Sequence, residues 1–244
     1  MDKQIAIITG AAKGIGKAIA HRMINDNYII ILVDVDKKNG IELSKKLGRF
    51  AKFIACDISN EKEVNRLFKT VVNEFGHIDV VVNNAGIISD NVIWKMPVEN
   101  FDKVIEINLK GTWLMCKAAG TLMREQKSGR IINITSRAWL GNIGQSNYSA
   151  SKAGVVGLTR VLALELGKYG VLVNAIAPGL IDTPLTQKLP KEVRENLIQA
   201  QPIKTIGKPE DIANTVSFLS NENTKFITGQ TIYVDGGKSI GVGL

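Results

Sequence analysis

The chain is 244 residues long, carries a formal net charge of +8 and has a hydrophobic fraction of 45%. That length and composition suit a water-soluble globular domain with a large buried core. Its lysines are scattered rather than grouped in blocks, and its longest aliphatic run spans only residues 29–33, so we expect neither a nucleic-acid partner nor a membrane partner.

Short runs rich in isoleucine and valine alternate with helical patterns through most of the chain. We predict strands at residues 4–9, 29–34, 51–56, 80–83, 130–135, 171–177 and 231–234. Amphipathic stretches between them, such as 61–75 and 153–168, indicate helices. Nearly continuous apolar strands are typical of a parallel sheet that is buried on both faces.

This alternation predicts an α/β fold: a doubly wound, Rossmann-type parallel sheet of about seven strands with helices on both faces. We expect a single domain over residues 1–244, with ligands bound at the carboxyl ends of the strands. Residues 180–207 depart from the pattern, since they hold three prolines and a polar helical piece at 191–201. They are interpreted as a substrate-covering segment or, alternatively, as an ordinary surface loop.

The glycine turn (residues 9–16) follows the first strand and contains Gly10, Gly14 and Gly16. Glycine is needed where backbone must approach a pyrophosphate closely, and the helix that begins near Ile15 would direct its N-terminal amides at the phosphates. Glycine turns also follow strands that bind no nucleotide. The strand–turn–helix context nevertheless favours a dinucleotide site that includes Thr9.

Asp34 ends the second strand, where a carboxylate can accept hydrogen bonds from the adenosine ribose and repel a 2′-phosphate. This favours NAD(H) over NADP(H). Lys13 points the other way, because a cation beside the ribose could bind the extra phosphate. In a further alternative, Asp34 only caps the helix that follows near Asp36.

Tyr148 and Lys152 lie four residues apart, which places them one turn apart on one helix face. At about 5 Å and an effective dielectric near 20, the ammonium would stabilise a phenolate by roughly 3 kcal/mol. We therefore expect the pKa of Tyr148 to fall by about two units towards neutrality, so that it can act as an acid or base. Ser136, at the end of the fifth strand, would donate to the substrate oxygen. The alternative is a surface pair of neighbours.

Cys56 and Cys116 lie among apolar residues without metal-ligand spacing, so we expect free thiols in a reducing compartment and no metal. The first strand-like run begins within a few residues of Met1, so we expect no signal peptide. We therefore expect a cytoplasmic protein.

Taken in order, these motifs resemble the short-chain dehydrogenase/reductase family over essentially the whole chain. The resemblance implies that Asp57 and Ile58 contact the adenine and that Ile181 and Thr183 hold the nicotinamide carboxamide. It also implies that Asn108 holds a water that relays protons to Lys152, although Asn108 could simply be a polar residue that bends its helix. Further cofactor-site residues implied in this way are Lys13, Asn84, Ala85, Gly86, Pro178 and Gly179, with Tyr148 and Lys152 also touching the cofactor.

A closer resemblance rests on five runs, at residues 129–136, 144–148, 173–179, 207–213 and 227–237. On these runs the chain is similar, within the family, to 3-oxoacyl-acyl carrier protein reductases and acetoacetyl-CoA reductases. This implies reduction of a 3-oxoacyl thioester, a place in fatty acid biosynthesis and a homotetramer. Asp34 departs from the many NADPH-dependent carrier-protein reductases, and Tyr169 stands where they tend to carry a basic residue. A dehydrogenase of another secondary alcohol (a polyol, sugar or cyclic alcohol) and a non-catalytic dinucleotide-binding protein remain the alternatives.

Overall fold

The computed structural model describes residues 3–240, so the predicted domain, 1–244, extends beyond the described part at both ends. Seven strands form one sheet in the order β3-β2-β1-β4-β5-β6-β7, and every pairing is parallel. The strands are β1 (Ile5–Thr9), β2 (Ile29–Asp34), β3 (Ala51–Ala55), β4 (Val80–Asn83), β5 (Gly129–Ile134), β6 (Val171–Pro178) and β7 (Thr231–Val234). The prediction of a doubly wound parallel sheet is confirmed.

Within residues 3–240, eight α-helices connect or flank the strands. They are α1 (Gly14–Asn25), α2 (Lys37–Leu47), α3 (Glu61–Phe75), α4 (Val98–Ile105), α5 (Thr112–Gln126), α6 (Ser146–Leu166), α7 (Lys191–Gln199) and α8 (Pro209–Ser220). A π-helical segment, Glu106–Gly111, joins α4 to α5. Helix α6 begins seven residues before the predicted stretch, at Ser146 rather than at residue 153.

The core is divided by the sheet into two layers, because successive side chains of each strand face opposite sides. On β1, Ile7 packs with residues of α3, α5 and α6, whereas Ile8 packs with residues of α1, α2 and α8. Both isoleucines are fully buried. The strand order reverses between β1 and β4, which opens a crevice at the carboxyl ends of these two strands.

Candidate active site

The glycine turn crosses the carboxyl end of β1 in a conformation that side chains disfavour. Gly10 and Gly14 have φ values of +62° and +56°, in the left-handed region that glycine tolerates. Gly16 has a different reason, since a Cβ there would lie 2.2 Å from the Gly10 carbonyl oxygen. The turn therefore brings the backbone and α1 together more closely than alanine would allow.

The N-terminus of α1 is open to an anion. Its capping position, Lys13, supplies no side-chain hydrogen bond to the first turn, and no acidic residue lies in that turn, among the residues the structure describes. Ile15 sits in the same first turn. The leading N–H groups of this helix thus have the direction and partial positive charge that a pyrophosphate requires.

A side chain at the end of β1 and one just after β4 brace the glycine turn. Thr9 Oγ1 accepts the backbone N–H groups of Asn84 and Ala85, each at 3.0 Å. The Asn84 amide in turn donates to the carbonyl oxygens of Thr9 at 3.0 Å and Gly10 at 3.1 Å. The structure therefore brings the predicted residues Thr9, Gly10, Asn84 and Ala85 together.

Asp34 lies at the end of β2 and faces the glycine turn. Its two carboxylate oxygens accept the N–H groups of Ala12 at 3.0 Å and Asp36 at 2.9 Å. Asp36, rather than Asp34, caps α2, because its carboxylate accepts the Asn39 N–H at 3.2 Å. The interpretation of Asp34 as only a helix cap is therefore wrong.

Lys13 is drawn away from Asp34. Its ammonium lies 3.7 Å from the Asp36 carboxylate, and 67% of its side chain is exposed. Hydrogen bonds from Asn39, and to a smaller extent the Lys13 ammonium, lower the pKa of the Asp36 carboxyl. Lys13 therefore lies at the solvent-exposed edge of the glycine turn.

The residues assigned to the adenine differ in exposure. Asp57 is exposed just after β3. The Asp57 carboxylate accepts two hydrogen bonds from Ser59, one from its N–H at 2.9 Å and one from its hydroxyl at 2.8 Å. Ile58 is buried, and a Cβ on Gly111 would come within 2.8 Å of its side chain. An adenine contact from Ile58 would thus have to use main-chain atoms.

Tyr148 and Lys152 both lie in the first two turns of α6. The Lys152 ammonium is 5.7 Å from the centre of the tyrosine ring and donates to the Ile134 carbonyl oxygen at 2.9 Å. Only 3% of Lys152 is exposed, whereas Tyr148 is half-buried. The alternative of a surface pair is wrong, because a lysine this buried is rare without a specific role.

The predicted fall in the pKa of Tyr148 is wrong for the protein by itself. Burial raises the pKa of the phenol, a hydrogen bond with Ser136 offsets part of that rise, and the Asp90 carboxylate adds to it. Burial also lowers the pKa of Lys152 to about 8. The attraction of the ammonium is outweighed by the cost of placing both charges in a dry environment, which spacing in the sequence does not reveal.

Ser136 follows β5 and lies near the phenol. Its Oγ accepts the Ala138 N–H at 3.1 Å, so its own hydroxyl hydrogen is left for the Tyr148 phenol oxygen or for a substrate oxygen that takes its place. Ser136 and Tyr148 thus present two O–H donors at the carboxyl edge of the sheet. One carbonyl oxygen placed there would meet both.

Asn108 is fully buried in the π-helical segment. Its side chain exchanges two hydrogen bonds with the backbone of Ile87, at 2.8 and 2.9 Å, and donates to Ser151 Oγ at 3.2 Å. A Cβ on Gly86 would lie 3.2 Å from Asn108 Oδ1 and 3.5 Å from Lys152 Nζ, so both groups border the space that glycine leaves open at this position. The helix is distorted at Asn108, as the alternative interpretation expected; the water relay stays a prediction.

The segment after β6 forms the opposite wall of the crevice. Gly179 donates its N–H to Val234 at 3.0 Å and passes so close to Asp235 that a Cβ would lie 2.7 Å from the aspartate Cα. Pro178 ends β6, and Ile181 is buried and bridged to Gly207.

Thr183 lies across from the glycine turn. A Cβ on Gly14 would lie 3.8 Å from the Thr183 Cβ, and Thr183 donates its N–H to Thr186 Oγ1 at 2.9 Å. The turn and this segment therefore face each other over one cleft.

Residues 180–207 contain α7 and a single turn, Thr186–Lys188. All nine residues of α7 are exposed or half-buried. The Arg194 guanidinium holds the helix to Asp182 at 3.2 Å. One ion pair thus connects α7 to the stretch that holds Ile181 and Thr183.

Two residues of the site escaped prediction. Asp90, whose carboxylate accepts hydrogen bonds from the Gln145 amide at 3.0 and 3.1 Å, acts electrostatically on Tyr148. Ser151, fully buried, contacts Asn108. The signal for Ser151 was its place one residue before Lys152, on the inward face of α6.

Two kinds of feature are absent from residues 3–240. No group of three or more histidine, cysteine or acidic side chains is placed to hold a metal ion there. Nor does that part of the chain contain a helix long and apolar enough to span a membrane.

Comparison with known proteins connects this geometry to a family. A family profile described as enoyl-(acyl carrier protein) reductase, of the short-chain alcohol dehydrogenase type, matches residues 10–239. The (2S)-[(R)-hydroxy(phenyl)methyl]succinyl-CoA dehydrogenase subunit BbsD of Thauera aromatica is 42% identical over 246 residues, which cover 100% of this chain and 99% of that protein.

Two other similar proteins have different substrates in their names. The 3-oxoacyl-[acyl-carrier-protein] reductase FabG of Staphylococcus epidermidis is 41% identical over 239 residues, covering 95% of this chain and 97% of that protein. The crystal structure of levodione reductase superposes with a TM-score of 0.94 at 34% identity, covering 98% of each chain. The chain belongs to the short-chain dehydrogenase/reductase family of NAD(P)(H)-binding oxidoreductases.

Proposed function

We propose that this protein reduces a 3-oxoacyl thioester, carried by CoA or by acyl carrier protein, to the 3-hydroxyacyl thioester with NAD(P)H. The observation that carries the proposal is the close pair formed by Tyr148 and the buried Lys152, beside Ser136 at the carboxyl edge of the sheet. The similarity to a dehydrogenase subunit named for a hydroxy-substituted succinyl-CoA and to a 3-oxoacyl-[acyl-carrier-protein] reductase, both named for acyl thioesters, supports the substrate class.

In this proposal Ser136 and Tyr148 bind the ketone oxygen, and Tyr148 gives it a proton. A raised phenol pKa keeps Tyr148 protonated at neutral pH, which is the state a proton donor needs. As the phenol loses its proton, the Lys152 ammonium stabilises the phenolate. The bound nicotinamide cofactor supplies the hydride. Lys152, with a pKa of about 8, can itself give up and regain a proton near neutrality.

The dinucleotide would lie across the crevice between β1 and β4. The first turn of α1 would hold the pyrophosphate, and Asp34 would accept hydrogen bonds from the adenosine ribose. Each Asp34 oxygen already accepts one backbone N–H and keeps a further lone pair. We propose NAD(H) as the preferred cofactor, because the Asp34 carboxylate would repel a 2′-phosphate while Lys13 is paired with Asp36.

A dehydrogenase of another secondary alcohol is the second candidate. The similarity to levodione reductase, whose name indicates a different carbonyl substrate, favours it. Ser136, Tyr148 and Lys152 act on the carbonyl alone, so they serve either substrate equally. A non-catalytic dinucleotide-binding protein is disfavoured, because Tyr148 and Lys152 are both present and close together.

The remaining proposals concern assembly and place in the cell. Three large apolar side chains on α5 and α6 face solvent: Trp113, Val161 and Leu164, the last 85% exposed. Such surface is typical of an interface, which supports a homotetramer. We also propose a cytoplasmic location and, for the carrier-protein substrate, a place in fatty acid biosynthesis.

A substrate panel tests the proposed function. Acetoacetyl-CoA, an acetoacetyl carrier protein and simple ketones, including a cyclic one, would each be supplied with NADH or NADPH while absorbance is followed. We expect kcat/KM for a thioester to exceed that for the ketones by at least about 100-fold, since binding of the thioester arm contributes to the transition state. Faster reduction of the cyclic ketone would replace the proposal with the second candidate.

Replacing Asp34 with asparagine should change the cofactor preference. Loss of the charge-assisted bonds to the ribose should lower kcat/KM with NADH about 30-fold and improve the relative use of NADPH. Steady-state kinetics with both cofactors measure the ratio.

Asp36→Asn is the matched control. It removes a charge two residues away and breaks the Lys13 ion pair, while asparagine can still cap α2. Because this variant also releases Lys13, the NADH-to-NADPH ratio should shift towards NADPH, but by less than about threefold, since the ion pair of an exposed lysine is weak. An equal shift in both variants would assign the preference to general charge rather than to Asp34.

A further inference from the structure

Ser151 links two parts of the site that are distant in the sequence. Its hydroxyl donates to the Tyr148 carbonyl oxygen at 2.7 Å and accepts the Asn108 amide at 3.2 Å. Ser151 and Asn108 are both fully buried. The link therefore runs from the π-helical segment to the turn of α6 that carries Tyr148.

Asn108 is itself held in place by two other contacts. Its amide exchanges two hydrogen bonds with Ile87, and its main-chain carbonyl oxygen accepts the Thr112 hydroxyl at 2.7 Å. Asn108 can therefore serve as a fixed point for Ser151. On the other side, Thr135 Oγ1 donates to the Lys152 carbonyl oxygen at 2.9 Å, which holds the next residue of α6 to the end of β5.

We propose that Ser151 is a positioning residue that fixes the first turn of α6, and with it the Tyr148 phenol, relative to Asn108. Ser151 does not touch the reacting atoms in this role. It acts through the Tyr148 main chain, which sets where the phenol lies between Ser136 and Lys152. The inference rests on the proposed function only in that Tyr148 is the proton donor; it holds for either carbonyl substrate.

The test is Ser151→Ala, read in two ways. With whichever substrate of the panel is turned over, we expect kcat to fall about 10-fold and the KM for NADH to change less than about twofold, because the phenol moves and the dinucleotide site does not. Without substrate, the ionisation of Tyr148 is followed by ultraviolet difference spectra against the same protein carrying Tyr148→Phe. A loosened turn admits water, so the phenol should ionise at lower pH.

The charged groups that face the phenol are Lys152 on α6 and Asp90 in the segment after β4. Ser151→Ala changes neither. Ser220→Ala is the matched control, because Ser220 is also buried and also donates to its own helix, at 2.8 Å to Val216, but lies on α8 away from the site. It should leave kcat and the phenol titration unchanged.

A double-mutant cycle separates the contact from general loosening. In an Asn108→Ala background, Ser151→Ala should lower kcat by less than about twofold further, because its partner is already lost. Full additivity, an unchanged kcat and titration in Ser151→Ala, or an equal loss in Ser220→Ala would overturn the inference. If the wild-type protein reduces no substrate of the panel, the proposed function fails, whereas the phenol titration still decides the role of Ser151.

Discussion

Replacing Tyr148 with phenylalanine should lower kcat about 100- to 10,000-fold, because a positioned proton donor typically contributes that much to the rate. The ring that packs in the site is retained, so NADH should bind within about threefold of wild-type affinity. Single-turnover kinetics measure the first quantity and fluorescence titration of NADH measures the second.

Tyr28→Phe is the control for this prediction. Tyr28 is also buried, and its hydroxyl donates to the Ser220 carbonyl oxygen at 3.1 Å on the far side of the sheet from α6. Its loss should cost about 1 kcal/mol of stability and leave kcat unchanged. Retained turnover in Tyr148→Phe would remove the phenol from its proposed role.

Replacing Lys152 with methionine should abolish most activity and yet stabilise the free protein near neutral pH. Burial lowers the pKa of Lys152 from 10.5 to about 8, so below pH 8 the lysine is charged in both states and the folded state bears the full cost of burial. This lowering of the pKa corresponds to about 3 kcal/mol of folding free energy that the charged Lys152 costs the protein. The variant also loses the hydrogen bond to Ile134, which destabilises it by about 1 kcal/mol. We therefore expect its free energy of unfolding to be about 2 kcal/mol higher than that of the wild-type protein.

The sign of this effect depends on pH. Between pH 8 and 10.5 the unfolded lysine keeps more protons than the folded one, so the stability of the wild-type protein rises there relative to the variant. The advantage of Lys152→Met should therefore shrink across this range. Urea unfolding at pH 6.5 and at pH 10 measures it.

Lys117→Met serves as the comparison. Lys117 is exposed and pairs with Glu61 at 2.9 Å, so its replacement should change stability by less than about 0.5 kcal/mol at either pH. If Lys152→Met is instead less stable than the wild-type protein at pH 6.5, contacts of the ammonium outweigh the cost of burying its charge, and the prediction is wrong. In kcat, Lys152→Met should lose at least about 100-fold.

The strands were the most predictable part of the fold. The predicted bounds of β2, β4 and β7 agree with the structure residue for residue. In β2 and β4 an unbroken aliphatic run ends at a polar residue, and β7 consists of β-branched and aromatic residues, which favour strands. Helix α6 was predicted too short for the opposite reason. Its first two turns bury the polar residues Asn147, Ser151 and Lys152. Polar residues on the buried face interrupt the regular spacing of apolar residues by which an amphipathic helix is predicted.

The site residues were easier to name than to describe. Asp34 was placed at the end of β2, yet its backbone partners and the capping of α2 by Asp36 depend on a loop conformation that spacing does not determine. The pKa of Tyr148 was misjudged because pairwise attraction can be counted in a sequence and burial cannot. The π-helical segment at Asn108 likewise depends on its contact with Ile87, 21 residues away.

The bracing of the glycine turn by Asn84 has a consequence for folding. Its hydrogen bonds to Thr9 and Gly10 join positions 75 and 74 residues apart, so the first β–α–β unit cannot complete this turn by itself. The nucleotide cradle should therefore be assembled only after β4 docks against β1, late in folding, since contacts between distant residues must wait for closure of a long loop. During synthesis, a nascent chain that ends before β4 would consequently be unable to gain stability from the dinucleotide.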